Sequence, residues 1–258
     1  MNNDPILTAQ DVHIEYSGGV HAVRGVSLEL LAGETLGLVG ESGSGKSSLA
    51  RALVGLEHIK SGRIAYQGTD LPRDLRLPRT VRLDLQMVFQ DPFSALNPKR
   101  RIGATLADAL RARSGTRPSA EEVVELLRTV GLGPQFAQRY PAEASGGQLQ
   151  RVVIARALAP KPKVLVADEA VSALDVSVQA QILDLLADLR EQLGLSMLFV
   201  SHDLGVIRHV SDRVAVLRLG ELVELGETER LVADPQHPYT EQLLAAVPDV
   251  EEAAARAT

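Results

Sequence analysis

The chain has no cysteine among its 258 residues. That absence excludes disulfide bonds, thiol nucleophiles, iron–sulfur clusters and zinc sites built on cysteine. It also fits a reducing compartment, where disulfides do not persist. An excess of basic residues is lacking as well, since the formal net charge is −6. Because nucleic acids are bound mainly through basic surfaces, we do not expect a nucleic acid to be the main partner.

Long apolar runs are also missing. No stretch approaches the roughly 20 consecutive apolar residues of a membrane-spanning helix, and the N-terminal residues lack the charged-then-apolar pattern of a signal peptide. We therefore expect that the chain does not itself cross a bilayer. Hydrophobic residues make up 45% of the sequence, which is typical of a globular protein with one large domain, with or without a sub-domain.

Hydrophobic periodicity alternates along the chain between the strand period and the helix period. Strands are predicted at 12–16, 26–31, 34–40, 62–68, 83–89, 163–168 and 196–201, followed by a hairpin at 212–226 that turns at Gly220. Helices are predicted at 46–56, 103–112, 119–130, 147–159 and 176–193. Strands that alternate with helices predict a mostly parallel, three-layer α/β sheet.

The segment 91–145 differs in character, because it carries several prolines and two of the predicted helices. We interpret it as a helical sub-domain inserted into an α/β core that comprises 1–90 and 146–235. Together with the C-terminal helix described next, these parts form one domain that extends over 1–250.

The C-terminal region 236–248 reads as a proline-started amphipathic helix, with Leu243, Leu244 and Val247 packing inward. His237, just before the proline, is expected to be a turn residue rather than a metal ligand. Residues 251–258 are expected to form a frayed tail.

The stretch GESGSGKS, Gly40–Ser47, follows a predicted buried strand and opens a predicted helix. It matches G-x-x-x-x-G-K-[ST], a pattern whose glycines let backbone N–H groups converge on phosphate. Lys46 is expected to bridge the β- and γ-phosphates of a nucleotide, and the Ser47 hydroxyl to ligate Mg²⁺. The alternative is a glycine-rich turn with a surface lysine. The nucleotide-binding residues predicted here are Gly40, Glu41, Ser42, Gly43, Ser44, Gly45, Lys46, Ser47 and Ser48.

Two adjacent carboxylates end another predicted buried strand. Asp168 can hold Mg²⁺ directly or through water. Glu169 is not needed for that task and can orient and deprotonate a water molecule, which predicts hydrolysis rather than transfer to a substrate hydroxyl. The alternative is a loop acid pair or a helix cap.

Two further side chains follow predicted strands, and a third ends one. His202 could hydrogen-bond a γ-phosphate, although a lone histidine there is more often a satisfied loop residue. Gln90 carries a neutral amide that can reach Mg²⁺ or the attacking water. Tyr16 could stack on adenine or be an ordinary strand-end aromatic.

The stretch Ser145–Gln148, SGGQ, stands at the start of a predicted helix. Ser145 and Gln148 have the spacing of a capping box. Capping does not explain Gly146 and Gly147, since glycine costs roughly 1 kcal/mol relative to alanine inside a helix. Glycines at a helix N-terminus do let an anion approach the backbone N–H groups closely. The stretch therefore indicates either a plain cap or a second anion site.

Taken together, these motifs resemble, in order and spacing, those of an ATP-binding subunit of an ABC transporter, and the resemblance extends from about residue 6 to 248. It implies a P-loop NTPase (RecA-like) core, an antiparallel β edge and a helical sub-domain. It also implies ATP and Mg²⁺ as cofactors. In that family the SGGQ glycines bind the γ-phosphate of ATP held by another subunit, and Asp175, in SALD, would lie at the same dimer interface.

The segments 86–100 and 235–248 further resemble the ATPases of oligopeptide, dipeptide and nickel importers, and SGGQLQRV and DEAVSALD resemble the second ATPase of such a pair. The resemblance implies a motor subunit at the cytoplasmic face of the membrane. Its partners would be a second ATPase subunit, identical or not, two membrane permease subunits and, indirectly, an extracytoplasmic substrate-binding protein.

Two other functions compete with a transport motor. A soluble ABC ATPase of DNA repair or translation would usually carry two cassettes, long inserts or basic arms, none of which is present. A phosphate-loop kinase or GTPase is disfavoured by the SGGQ stretch and by the lack of an N-K-x-D guanine motif.

Overall fold

The computed structural model describes residues 4–245. The expected tail at 251–258 and the predicted inward contact of Val247 lie outside the described residues. The strands are β1 (Pro5–Tyr16), β2 (Val20–Leu31), β3 (Thr35–Val39), β4 (Ser61–Tyr66), β5 (Thr69–Asp70), β6 (Leu85–Val88), β7 (Val164–Asp168), β8 (Ser196–Ser201), β9 (Arg213–Arg218) and β10 (Glu221–Glu227). The helices are α1 (Lys46–Leu53), α2 (Arg79–Asp84), α3 (Ile102–Ser114), α4 (Ala120–Thr129), α5 (Gly146–Leu158), α6 (Val176–Leu193), α7 (Leu204–Val210), α8 (Thr228–Ala233) and α9 (Pro238–Ala245).

A six-stranded sheet of order β10-β9-β3-β8-β7-β6 forms the centre of the fold. Its strands pair in parallel from β9 to β6, and β10 pairs antiparallel with β9. A separate four-stranded antiparallel sheet has the order β2-β1-β4-β5. The predicted α/β class, with a mostly parallel core sheet and an antiparallel β edge, is confirmed.

Two hydrophobic cores lie on opposite faces of the central sheet. In β7, Leu165 and Ala167 pack with helices α3 to α7, whereas Val164 and Val166 pack with α1 and the antiparallel sheet. Because both faces are covered, every residue of β3, β7 and β8 is buried. This double burial explains why these strands read as continuous apolar runs rather than as alternating patterns.

The register of the parallel strands brings their carboxyl ends to one level. Val39 at the end of β3 pairs with Ser201 at the end of β8, and Asp168 at the end of β7 pairs with Val200. Val88 at the end of β6 pairs with Ala167. The residues that follow these strands therefore emerge side by side at one edge of the sheet.

Several boundaries differ from the sequence predictions. The first part of the strand predicted at 83–89 is helix α2, which has no buried residue and so carries no hydrophobic period. The seven-residue α7 and six-residue α8 were too short for a period to be visible. Strand β1 begins at Pro5 rather than residue 12, because a register shift at Asp11, where φ is 49°, breaks the alternation of the sequence.

The remaining predicted helices are confirmed within two residues at each end, apart from α1, which stops at Leu53. Ser119 and Glu122 form a capping box at the start of α4. The C-terminal helix is α9, and Leu243 and Leu244 pack against the larger hydrophobic core as predicted.

Gly37, in the middle of β3, lies where α7 packs closely against the central sheet. A Cβ atom there would lie 2.5 Å from Ile207 Cγ2 and 2.7 Å from Ser211 Oγ, at the packed side of α7. Gly37→Ala should therefore displace α7 and lower the free energy of unfolding by about 1–3 kcal/mol. Thermal and denaturant unfolding measure the effect.

The matched control is Gly226→Ala, in β10, where the nearest atom to a new Cβ would be Leu231 Cβ at 3.9 Å. This substitution should change stability by no more than about 0.5 kcal/mol. Equal unfolding midpoints for the two variants would contradict the tight packing at Gly37.

Candidate nucleotide-binding site

The glycine-rich loop between β3 and α1 is closely packed on its outer side. A Cβ atom on Gly40 would lie 2.1 Å from the Leu217 carbonyl oxygen, and one on Gly45 would lie 2.1 Å from the Ala22 carbonyl oxygen. Gly43 has space around it but a φ of 80°, which favours glycine. Gly40 and Gly45 are required because a carbonyl oxygen lies too close for a side chain, and Gly43 is required by its backbone conformation.

Lys46 opens α1 and is 4% exposed. Its Nζ donates to the carbonyl oxygens of Gly40 at 2.7 Å and Glu41 at 2.8 Å, so the loop wraps around the ammonium group. Burial lowers the pKa of Lys46, and the nearby carboxylates of Glu169, Asp168 and Glu41 oppose that shift. The loop thus holds a positive charge at its centre, bound only to neutral carbonyl groups that an anion can replace.

Ser47 and Asp168 meet at the mouth of this loop. The Ser47 hydroxyl donates to Asp168 Oδ1 at 2.8 Å. Asp168 is 3% exposed, and burial raises the pKa of its carboxyl group while the Ser47 hydrogen bond lowers it. A hydroxyl, a carboxylate and the amide of nearby Gln90 are hard oxygen donors, so this set fits Mg²⁺.

Few side chains near Ser47 could ligate a metal ion. Within residues 4–245, no group of three or more acidic or histidine side chains is arranged to hold a metal ion. Mg²⁺ characteristically takes only one or two protein ligands and completes its shell with phosphates and water. The observed set therefore suits a metal that arrives with a nucleotide.

Glu169 has an unusual backbone conformation, with φ of 48°. A long side chain in the left-handed region costs on the order of 1–3 kcal/mol. Three hydrogen bonds hold it there: the Glu169 N–H donates to the Val200 carbonyl at 3.0 Å, and Ser172 donates its N–H and its hydroxyl to the Glu169 carbonyl at 3.2 and 3.1 Å. The turn after β7 thereby directs the Glu169 carboxylate toward the edge of the sheet where the parallel strands end.

Gln90 and His202 flank the Glu169 carboxylate. Gln90 Nε2 donates to Glu169 Oε2 at 2.8 Å and to the Ser172 hydroxyl at 3.3 Å. His202 Nδ1 lies 3.6 Å from Glu169 Oε1, with more than half of its side chain exposed. The structure thus brings together the three side chains that sequence analysis assigned to chemistry.

Tyr16 lies at the other side of the loop. Its hydroxyl is 2.9 Å from Ser48 Oγ and 3.0 Å from Glu57 Oε2, and burial raises the pKa of the phenol. The ring remains about one-third exposed, at 36%. Tyr16 also lines a cavity of about 430 Å³ that contains Val20, His21, Ala22, Ser42, Gly43, Gly45, Lys46, Ser47, Ser48, Gln90 and Glu169.

Sequence analysis missed three residues at this site. Glu57 contacts Tyr16, Ser172 contacts Glu169 and Gln90, and the Tyr239 hydroxyl accepts a hydrogen bond from the Glu41 N–H at 2.9 Å. Glu57 stands outside every motif, and Tyr239 lies in the segment 235–248, whose resemblance gave it no role at this site. Ser172 is part of the SALD stretch and could have been considered.

The SGGQ stretch forms the predicted capping box at the start of α5. Ser145 Oγ accepts from the Gln148 N–H at 3.4 Å, and Gln148 Oε1 accepts from the Ser145 N–H at 3.1 Å. A helix provides no internal acceptor for its first N–H groups, so those of Gly146 and Gly147 point outward from the helix mouth. The capping box is therefore compatible with a second anion site at the same helix mouth.

The mouth of α5 belongs to a different surface from the phosphate loop. The residues that line the loop cavity include none of Ser145–Gln148. Cβ atoms on Gly146 and Gly147 would instead approach Leu174 and Val178, which lie at the start of α6.

Asp175 is the N-cap of α6. Its Oδ1 accepts from the Ser177 hydroxyl at 2.8 Å and the Val178 N–H at 3.1 Å, and the first of these bonds contributes most to a lowered Asp175 pKa. The next residue, Val176, is 83% exposed. Asp175 therefore lies on the open surface beside SGGQ, where sequence analysis expected an interface.

No helix within residues 4–245 has the length and apolar character needed to span a membrane.

Comparison with known proteins agrees with this geometry. The profile of the family described as "ABC transporter" matches residues 23–172, and that of "Oligopeptide/dipeptide transporter, C-terminal region" matches residues 223–258. The "Probable peptide ABC transporter ATP-binding protein y4tS" of Sinorhizobium fredii is 52% identical over 241 residues, which cover 92% of this chain and 68% of that protein. The "Oligopeptide transport ATP-binding protein AppF" of Bacillus subtilis is 48% identical over 235 residues, which cover 90% of this chain and 71% of that protein.

A solved structure shares the same fold. The ATP-binding cassette MJ0796, described as a dimer in a post-hydrolysis state with ADP and Pi bound, superposes with a TM-score of 0.76 at 29% identity over 86% of this chain and 98% of that one. The family profile covers more than half of the sequence, and its residues include the phosphate loop, Asp168 and Glu169. The chain therefore belongs to the ABC transporter family, as an ATP-binding subunit.

Proposed function

We propose that this chain is the ATP-hydrolysing motor subunit of a peptide importer. One observation carries the proposal: a glycine-rich loop, a hydroxyl–carboxylate pair and a second carboxylate converge at one edge of the sheet, with Ser47 2.8 Å from Asp168 and Glu169 hydrogen-bonded to Gln90. The match of residues 223–258 to an oligopeptide/dipeptide transporter region favours transport over other uses of the cassette.

The nucleotide binds with its phosphates in the loop cavity. Lys46 exchanges the carbonyls of Gly40 and Glu41 for the β- and γ-phosphates. Because its ammonium group is already buried before the nucleotide arrives, binding the phosphates carries a smaller desolvation cost. Loop N–H groups from Gly43 to Ser48 complete the phosphate contacts. Tyr16, at the far side of the cavity, stacks on the adenine.

Ser47, Asp168 and Gln90 are the residues that would hold Mg²⁺. When bound with the nucleotide, the metal supplies charge neutralisation for the phosphoryl group under attack. The Ser47–Asp168 hydrogen bond supports this assignment, because the two side chains already face each other. Gln90 can offer its amide oxygen to the metal while Nε2 donates to Glu169, so its amide connects nucleotide binding to the position of the base.

Glu169 acts as the general base. Its carboxylate is 17% exposed, so a water molecule can reach it, and the turn held by Val200 and Ser172 fixes its direction. It removes a proton from the water that attacks the γ-phosphate. His202, 3.6 Å from Glu169 Oε1, contacts the γ-phosphate and registers its loss after hydrolysis.

A complete hydrolytic site requires two cassettes. The Gly146 and Gly147 N–H groups form an anion site that does not line this chain's own phosphate cavity. We infer that they bind the γ-phosphate of ATP held by a second ABC ATPase subunit, identical or homologous, with Asp175 at the same interface. The dimeric state described for the MJ0796 cassette supports this arrangement.

The chain is one ABC ATPase domain over 1–250, with a helical sub-domain at about 91–145. Its partners are two membrane permease subunits, which the sub-domain grips near Gln90–Asn97, and it lies peripherally on the cytoplasmic face of the membrane. An extracytoplasmic binding protein delivers the cargo and acts only indirectly. The cargo is a di- or oligopeptide, as the names of the relatives suggest.

Uptake of a labelled peptide tests this function. A strain that lacks the gene should lose uptake, and the intact gene should restore it. The tagged chain should also co-purify with membrane permease subunits rather than with nucleic acid. Undiminished uptake of di- and oligopeptides in the deletion strain would overturn the assignment of cargo.

Glu169→Gln should retain ATP binding and reduce kcat by about 100- to 10,000-fold, because only the water-activating carboxylate is lost. It should also trap the ATP-bound dimer and fail to restore peptide uptake. Steady-state ATPase assays and size-exclusion chromatography measure both effects. The control Glu191→Gln removes an exposed carboxylate on α6 and should behave as wild type. Near wild-type turnover in Glu169→Gln would exclude Glu169 as the base.

Gly146→Asp tests the shared site. A new Cβ there has room, since the nearest atom is Leu174 Cδ2 at 3.5 Å, and an acidic residue suits the first turn of a helix. ATP affinity of the isolated chain should not change. ATPase activity of the assembled complex should fall at least about tenfold relative to Gly146→Asn, which has the same shape without the charge, because a carboxylate repels the partner's γ-phosphate. Weaker ATP binding by the isolated Gly146→Asp chain would mean that SGGQ serves its own chain.

A further inference from the structure

A side chain from the C-terminal region reaches the phosphate loop. The Tyr239 hydroxyl accepts a hydrogen bond from the Glu41 N–H at 2.9 Å, across 198 residues of sequence. Tyr239 is in α9, within the segment that matches the oligopeptide/dipeptide transporter region and outside the matched ABC transporter region. The contact therefore joins the region matched by the first profile to the region matched by the second.

Tyr239 has little freedom to move. It is 2% exposed, and the Arg218 guanidinium lies over its ring at 4.9 Å from the centroid. Burial raises the pKa of the phenol, so the hydroxyl stays neutral. A buried ring held on one face by a cation presents its oxygen to Glu41 in one position.

The start of α9 is fixed independently of the loop. The Glu224 carboxylate on β10 accepts from the N–H groups of Gln236 at 2.9 Å and His237 at 3.1 Å, and also from the Thr240 hydroxyl. His237 Nδ1 in turn accepts from the Tyr239 N–H at 3.1 Å, as expected of a turn residue. Strand β10 thus anchors the helix, and the helix anchors Tyr239.

Glu41 is held from both sides. Its N–H is bound by Tyr239, and its carbonyl oxygen accepts from Lys46 Nζ at 2.8 Å. When Lys46 turns to phosphate, the carbonyl keeps only the Ser44 N–H, at 3.1 Å, which belongs to the loop itself. The N–H keeps Tyr239, which is therefore the contact from outside the loop that holds Glu41 in place while Lys46 turns to the nucleotide.

We propose that Tyr239 is a positioning residue for the phosphate loop, through which the C-terminal segment sets the affinity for ATP. The inference rests on the proposed function, since it concerns the same nucleotide site. If the loop had to become ordered when the nucleotide binds, the conformational entropy lost in ordering it would lower the affinity. Glu41 itself lies at the entrance of the loop, so the effect falls on nucleotide binding rather than on the attack of water at Glu169.

Tyr239→Phe in the full chain removes the hydroxyl and keeps the ring over which Arg218 lies. The loss of one hydrogen bond should weaken ATP and ADP binding by roughly three- to tenfold. KM for ATP should rise by a similar factor, while kcat at saturating ATP stays within about twofold of wild type. Isothermal titration with nucleotide, in addition to steady-state kinetics, provides the two readouts.

The matched control is Tyr66→Phe. Tyr66 is 5% exposed, and its hydroxyl bonds to Asp84 at 3.1 Å, away from the residues that line the loop cavity. Both variants lose one buried tyrosine hydroxyl, so both should lower the unfolding temperature, and only Tyr239→Phe should weaken nucleotide binding.

Equal nucleotide affinity in Tyr239→Phe and Tyr66→Phe would overturn the inference and leave Tyr239 with a purely structural role. A fall in kcat without a rise in KM would overturn it too. Lys46→Ala separates these results from the proposed function: if wild type binds ATP and Lys46→Ala does not, the phosphate loop is correctly assigned whatever Tyr239 does.

Discussion

The whole nucleotide site depends on the parallel pairing of β3, β8 and β7. Hydrogen-bonded registry places Val39 beside Ser201 and Val200 beside Asp168, so the loops that follow begin at one level. A shift of one residue along any of these strands would turn its buried side chains to the opposite face and withdraw its functional residue from the edge. The cores on the two faces of the sheet therefore secure the register on which the chemistry relies.

Local patterns could indicate candidate site residues because many of them end or follow a buried strand. The phosphate loop, Asp168, Glu169 and His202 could be located in this way, and the structure brings them together. Contacts between distant segments could not be predicted. The contact between Tyr239 and Glu41 depends on the orientation of one aromatic ring. Neither hydrophobic periodicity nor a motif indicates such an orientation. Helix α2 was missed because it has no buried residue and so shows no hydrophobic period.

The loop that binds phosphate is supported by segments outside its own motif. The Gly220 N–H donates to the Ser44 carbonyl at 3.0 Å, and the Arg24 N–H donates to the Gly220 carbonyl at 2.8 Å, so β2 and the β9–β10 hairpin both support the loop. The strained turn at Glu169 is supported in the same manner by Val200 and Ser172. The glycine-rich loop and the left-handed turn at Glu169 are thus both held by hydrogen bonds from neighbouring segments.

The capping box at Ser145 determines how two cassettes would meet. The Ser145 and Gln148 side chains already bond to the helix backbone, so the N–H groups that we propose to bind an anion are held in place before a second subunit arrives. Little conformational entropy then remains to be lost on that surface when the subunits associate. The affinity between the two subunits would then depend on charge and desolvation at the phosphate. Dissolved ions screen such charge interactions, with a Debye length of about 8 Å at physiological salt. Cellular ionic strength, rather than loop ordering, would accordingly set how readily the two halves close on ATP.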